Sequence, residues 1–139
     1  MNMDAFTFLR ERVDLFAGVS DEHLTAIAVG STLSTYKSGQ TIMFKGATVD
    51  GLHVMAVGKA GVFVKPPTQP LMQVAELSSG AVFGETSIIE NGTAGATIKA
   101  IEDGTFVLNI PQEAFRVLLS ESPEFVARVK ALIASRKAP

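Results

Sequence analysis

The sequence predicts an α+β fold: a roll of short β-strands with helices before it and after it. Between Ser31 and Ile110, short apolar runs are cut repeatedly by glycine, proline and serine, the pattern of many short strands in a sandwich or barrel-like roll. Before position 31 and after position 110, apolar residues recur at helical spacing behind cap signals. The length, 139 residues with 47% of them hydrophobic, suits one domain, 1–139, with one sizeable core.

Residues 1–30 carry the N-terminal helices. Asp4 to Arg12 places Phe6, Leu9 and Val13 on one side of a short helix. Ser20 is the predicted N-cap of a second helix, with Asp21 and Glu22 in its first turn, where they suit the dipole. Leu24, Ile27 and Ala28 form its apolar face.

The roll occupies 31–110. Tyr36-Lys37-Ser38-Gly39 reads as a turn, and Thr41 to Phe44 as a short strand with Ile42 and Phe44 on one face. Leu52–Val57 and Ala60–Lys65 flank Gly58 and read as a hairpin. Pro66-Pro67 ends the second of these strands, since proline cannot donate to a ladder. Met72–Leu77 follows, closed by Ser78-Ser79-Gly80. In the last two strands, Ala96, Ile98 and Ala100 alternate with Thr97, Lys99 and Ile101, and Phe106, Leu108 and Ile110 with Val107 and Asn109. Alternation points Lys99 to solvent.

Residues 111–135 are helical again. Pro111 suits a first helical turn, with Phe115, Leu118 and Leu119 as the buried face. Ser122-Pro123-Glu124 starts a final helix running to about Ser135, with Phe125, Val129, Leu132 and Ile133 as its stripe.

Composition narrows the function. Without cysteine there is no disulfide framework and no thiolate metal site. A net charge of −2 with both signs scattered gives no footprint for nucleic acid and no polybasic membrane anchor. The N-terminus lacks an apolar signal core, and Leu24–Tyr36, the longest uncharged run, is too short to span a bilayer. A cytoplasmic protein is expected. His23 reads as a solvated first-turn residue and His53 as a packed strand residue, and no carboxylate cluster joins them into a metal site. The five methionines read as core filler. No nucleophile elbow or Ser/His/Asp spacing is present, and GKAG at Gly58 lacks P-loop spacing, so no catalysis is expected.

The most informative stretch is FGETSIIENGTAGATIKA, Phe83 to Ala100: strand end, glycine turn, short helix, second turn, strand. Gly84 permits a tight turn and close backbone approach to a ligand. The helix Glu85–Glu90 points its first N–H groups, from about Thr86 and Ser87, toward an anion. This segment resembles the phosphate-binding cassette of the cyclic nucleotide-binding domain family. The resemblance extends over Leu15–Ile133 through Leu15-Phe16, Leu24, Tyr36, Gly39, Ile42, Phe44, Gly46, Leu52, Gly58, Leu77 and Gly80. Phe83-Gly84-Glu85, with Ala96, Thr97 and Ala100 beyond it, makes the match specific.

The resemblance implies an eight-stranded antiparallel jelly-roll-like β-roll with one short internal cassette helix, and a ligand site of Phe83, Gly84, Glu85, Thr86, Ser87, Ala94, Gly95, Ala96 and Thr97. Glu85 corresponds to the acceptor of the ribose 2′-hydroxyl, Ser87 to a donor, and Thr97 to a hydroxyl near the ligand. The position of Ala94 is an arginine in that family, which clamps the cyclic phosphate in a fork. Thr93 and Gly95 also depart from the pattern, and no arginine lies between Arg12 and Arg116. The fold is therefore expected with its cationic clamp deleted. The implied function is a non-catalytic regulatory module without a resident cofactor, sensing cAMP, cGMP or a related small anion with weakened affinity. The alternative is a degenerate scaffold or interaction module that binds no nucleotide. Either acts through a protein partner or effector, and the terminal helices offer a homodimer contact.

Overall fold

The computed structural model describes residues 4–49, 51–85 and 94–137. Helix α1 (Ala5–Arg12) is capped by Asp4, whose Oδ1 accepts from the Thr7 N–H at 2.7 Å. A 3₁₀ turn, Asp14–Phe16, leads to α2 (Asp21–Gly30), where Ser20 Oγ accepts from the His23 N–H at 3.2 Å. Arg10 donates to the Val19 carbonyl and pairs with Asp21, tying α1 to the start of α2.

Eight antiparallel strands follow: β1 (Thr32–Tyr36), β2 (Thr41–Met43), β3 (Gly51–Val57), β4 (Ala60–Val64), β5 (Met72–Leu77), β6 (Val82–Phe83), β7 (Thr97–Ala100) and β8 (Thr105–Pro111). They form two four-stranded sheets, ordered β1-β8-β3-β6 and β2-β7-β4-β5. With α3 (Gln112–Glu121) and α4 (Pro123–Lys137) they make the helix-flanked antiparallel roll.

The sequence expectation of a β3–β4 hairpin is corrected. The two strands lie in different sheets, and β4 pairs with β5 and β7 instead. The reason sits at Gly58, where φ is +86° and an added Cβ would meet Thr105 Oγ1 at 2.5 Å. The left-handed glycine, wedged against the start of β8, turns the chain across the roll rather than back along β3.

Strand β3 is buried on both faces. Leu52 and Val54 pair with Ile110 and Leu108, while His53 and Met55 pair with Asn109 and Val107. Helices α2 and α3 pack on this sheet, and the second sheet lies across the roll. This also breaks the simple alternation expected of β8, in which Thr105, Val107, Leu108 and Ile110 are all buried. In β2 the buried residue is Met43, whereas Phe44, grouped with Ile42 from alternation, is 64% exposed. Met55 fills the core, but Met72 is exposed, so methionine is not uniformly core filler.

The terminal helices are held by an aromatic cluster. Phe125 of α4 stacks on Phe16 at 5.7 Å between ring centroids and takes Phe115 of α3 edge-on at 5.6 Å. Each such pair contributes roughly 0.5–1.5 kcal/mol beyond area burial. Ser122 Oγ caps α4 by accepting from the Phe125 N–H, as its position before Pro123 predicts. His23, expected in solvent, is instead a bridge: it bonds Ser20 Oγ at 2.8 Å and Glu121 at 2.7 Å, joining α2 to the end of α3.

Candidate functional site

Four residues of the cassette entry are fixed by β6 and the turn after it. Val82 and Phe83 pair with Val54 and His53 of β3, and the Phe83 ring stacks on His53 at 5.0 Å. Gly84 follows with φ +96°, so close to β3 that an added Cβ would lie 3.2 Å from the Gly51 carbonyl oxygen. Only glycine combines this φ with this approach without strain. The chain then turns into Glu85, which begins a helix and is 1% exposed. The rest of the predicted cassette helix, with Thr86 and Ser87, lies outside the described residues.

The exit corner is pinned by backbone. Ala94 N–H donates to the Ala47 carbonyl and the Ala94 carbonyl accepts from the Gly46 N–H, both at 2.8 Å. Ala94 is 4% exposed and belongs to the core. Gly95 is exposed with open space over its Cα, and Ala96 is half-buried. The Thr97 hydroxyl oxygen accepts from the Lys45 N–H at 3.1 Å, which leaves its O–H proton to donate elsewhere. Lys99, expected in solvent, is half-buried with its ammonium 5.5 Å from the centre of the Phe63 ring.

The electrostatic centre is Glu85, and its partner was not foreseen. Arg136, near the end of α4, donates through Nη1 to Glu85 Oε1 at 2.5 Å and through Nη2 to the Val82 carbonyl. One guanidinium thus spans the turn at Phe83-Gly84, clasping the residue before it and the residue after it. Glu85 Oε2 is buried and has no hydrogen-bond partner among the described residues. Helix α4 runs to Lys137, past the expected end near Ser135, and that extension carries the clasp. A signal existed in the sequence. Positions 125, 129, 132 and 136 fall on one helical line, so Arg136 continues the apolar stripe with a long polar side chain.

The arrangement supplies a buried carboxylate acceptor beside a glycine turn and a helix start. Among the described residues no group of three or more His, Cys, Asp or Glu side chains is placed to hold a metal. None of their helices is long and apolar enough to cross a membrane.

Known proteins share this architecture. The crystal structure of the Thermus thermophilus catabolite activator protein matches with a TM-score of 0.75 at 28% identity, covering 88% of this chain and 57% of that one. The cyclic AMP receptor protein of Thermus thermophilus is 28% identical over 122 residues, 88% of this chain and 56% of that protein. Isozyme 1 of the Drosophila melanogaster cGMP-dependent protein kinase is 30% identical over 120 residues, 85% of this chain and 16% of the kinase. The chain thus spans little more than half, or much less, of the length of these relatives. The family model described as the cyclic nucleotide-binding domain matches residues 33–122, and the chain therefore belongs to the cyclic nucleotide-binding domain family.

Proposed function

We propose that this chain is a non-catalytic, ligand-sensing regulatory module that takes cAMP or cGMP at its 83–97 cradle with lowered affinity. The observation that carries this reading is Glu85, a carboxylate 1% exposed beside Gly84, with one oxygen held by α4 and the other unpartnered among the described residues. A buried acceptor in need of a donor suits a ribose hydroxyl. Its link to Arg136 gives a route from ligand to output. A hydroxyl bound at the second oxygen shares one carboxylate with Arg136, so ligand and the seating of α4 are coupled, and two positions of α4 would be the states whose populations the ligand shifts. The output passes to an effector or partner chain in the cytoplasm, with the terminal helices as the homodimer contact.

The lowered affinity follows from Ala94, which stands where the resemblance places an arginine. Removing one partner of a buried charge pair costs about 2–5 kcal/mol, roughly a 30- to 5000-fold loss. The test is calorimetry of the chain with cAMP and with cGMP, beside the Ala94→Arg variant. A weak saturable isotherm, tightened by Ala94→Arg, supports the sensor. Flat traces from both proteins overturn it in favour of an interaction module that binds no nucleotide.

A further inference from the structure

A cavity beside the cassette entry gathers much of the chain's arginine. It is a cleft of about 510 Å³ between the end of α1, the turn before β6 and the face of α4. Arg12, Arg128 and Arg136 all line it, three of the five arginines in a chain whose net charge is −2. The one carboxylate on its wall is Asp14. With Arg136 already paired to Glu85, Arg12 and Arg128 against Asp14 leave the wall at about +1.

Two of these guanidinium groups have no partner among the described residues. Neither the Arg12 nor the Arg128 guanidinium has a hydrogen bond or ion pair among the described residues. Arg12 is exposed, where an unpaired guanidinium is unremarkable. Arg128 is half-buried, with its guanidinium packed over Gly18, where an added Cβ would come within 2.9 Å of Nη2. A partly desolvated guanidinium without a counter-charge favours an anion. Between the arginines the wall is apolar, with Leu15 and Leu132 contributing. Arg128 and Arg136 are eight residues apart on α4, roughly 12 Å along its axis, enough for a ligand body to lie between two head-group contacts.

We propose that this cleft is a second ligand site, for a small organic phosphate with an apolar or aromatic body, and that it shares Arg136 with Glu85. The volume lies in the range of small-molecule pockets. A phosphate monoester carries −1.5 to −2 at neutral pH, opposite in sign to the wall, and guanidinium forks fit its oxygens. Because Arg136 holds Glu85 at 2.5 Å while lining the cleft, a phosphate in the cleft competes with that carboxylate for one guanidinium. The cleft stands independently of whether the cradle takes a nucleotide.

The test uses 1-naphthyl phosphate, which has no ribose for the cradle, titrated into the whole chain by calorimetry, with inorganic phosphate and 1-naphthol as its separate halves. Saturable binding is expected at one site, with each half at least about tenfold weaker. Arg12→Gln and Arg128→Gln should each lower the affinity roughly tenfold, as the loss of one charged hydrogen bond does, with thermal unfolding little changed. Glu85→Gln should raise it, since Arg136 is then released to the phosphate. Should Glu85→Gln fail to fold, Arg136→Gln decides the same point by lowering the affinity. Absence of saturation, or an affinity indifferent to Arg12→Gln and Arg128→Gln, overturns the site. Binding that ignores Glu85→Gln and Arg136→Gln alike overturns the sharing.

Discussion

Arg136 and Glu85, 51 residues apart in sequence, meet at 2.5 Å, and the carboxylate is 1% exposed while the arginine side chain is 35% exposed. The pair closes α4 onto the start of the cassette. It is asymmetric: the cation keeps a share of water and the anion keeps almost none. Breaking a fully buried pair costs about 3–5 kcal/mol. Screening at the exposed arginine lowers this, so Arg136→Gln is expected to destabilise the chain by about 1–3 kcal/mol in urea unfolding. Adding Glu85→Gln to Arg136→Gln should recover much of the loss, because no charge is then left buried alone. A double variant as unstable as the sum of the two singles would show that the two side chains act separately.

Phe125 is 0% exposed and sits between Phe16 and Phe115. It joins α4 to both the 3₁₀ turn and α3. Phe125→Ala removes both ring contacts and leaves a cavity, with an expected cost of about 3–5 kcal/mol. Hydrogen exchange should then rise first in α4, since this ring is its anchor. Exchange rising evenly through the roll would instead mean that α4 and the strands unfold as one unit.

The elements were legible wherever a local rule decided them. Ser20 and Ser122 announced helices α2 and α4, and each makes the cap bond its position predicts. Met72–Leu77 formed as a strand between its turn signals. The partners were less legible. Gly58 reads as a hairpin turn, but in the structure it carries a crossover, with Thr105, 47 positions away, closing one side of it. The burial of Val107 on the second face of β8 depends on how the layers cover both faces of the sheet, which alternation along one strand does not encode. The candidate site divides the same way. Gly84 and Glu85 were readable from the motif, but Arg136 was not tied to them. It lies beyond the expected end of α4, and a charged residue on an apolar stripe ordinarily reads as the edge of that stripe.

Asp4 gives the chain a pH dependence at acid. The backbone N–H of Thr7, first, and its side-chain hydrogen bond hold the Asp4 carboxyl below its ordinary value of 3.8. A depressed native value means that the capping contribution is complete above 3.8 and is lost as pH falls through the native value. The stability of the wild-type chain relative to Asp4→Asn, measured by urea unfolding from about pH 6 to about pH 2, should therefore be largest at the upper end and shrink below about pH 4. A difference that stays constant across this range would mean that the N-cap works equally well with a neutral side chain.

Ala94→Arg separates the cradle's shape from its charge. Ala94 is 4% exposed, and its backbone is bonded in both directions to the 46–47 turn. A guanidinium introduced there carries more volume than the core provides and a charge without a counter-ion. In the absence of ligand the variant is expected to be less stable than wild type by about 1–3 kcal/mol, the ordinary range for overpacking. A cyclic phosphate supplies the missing anion. Added cAMP should therefore raise the melting temperature of Ala94→Arg more than that of the wild-type chain, since a ligand stabilises only the state that binds it. The two effects have opposite signs in one protein, which makes the test sharp. A variant destabilised without ligand and indifferent to cAMP would show that the 94–97 corner holds no opening toward a phosphate. A variant as stable as wild type without ligand would show that the arginine side chain leaves the core for solvent, and that the cradle is open at this corner before any ligand arrives.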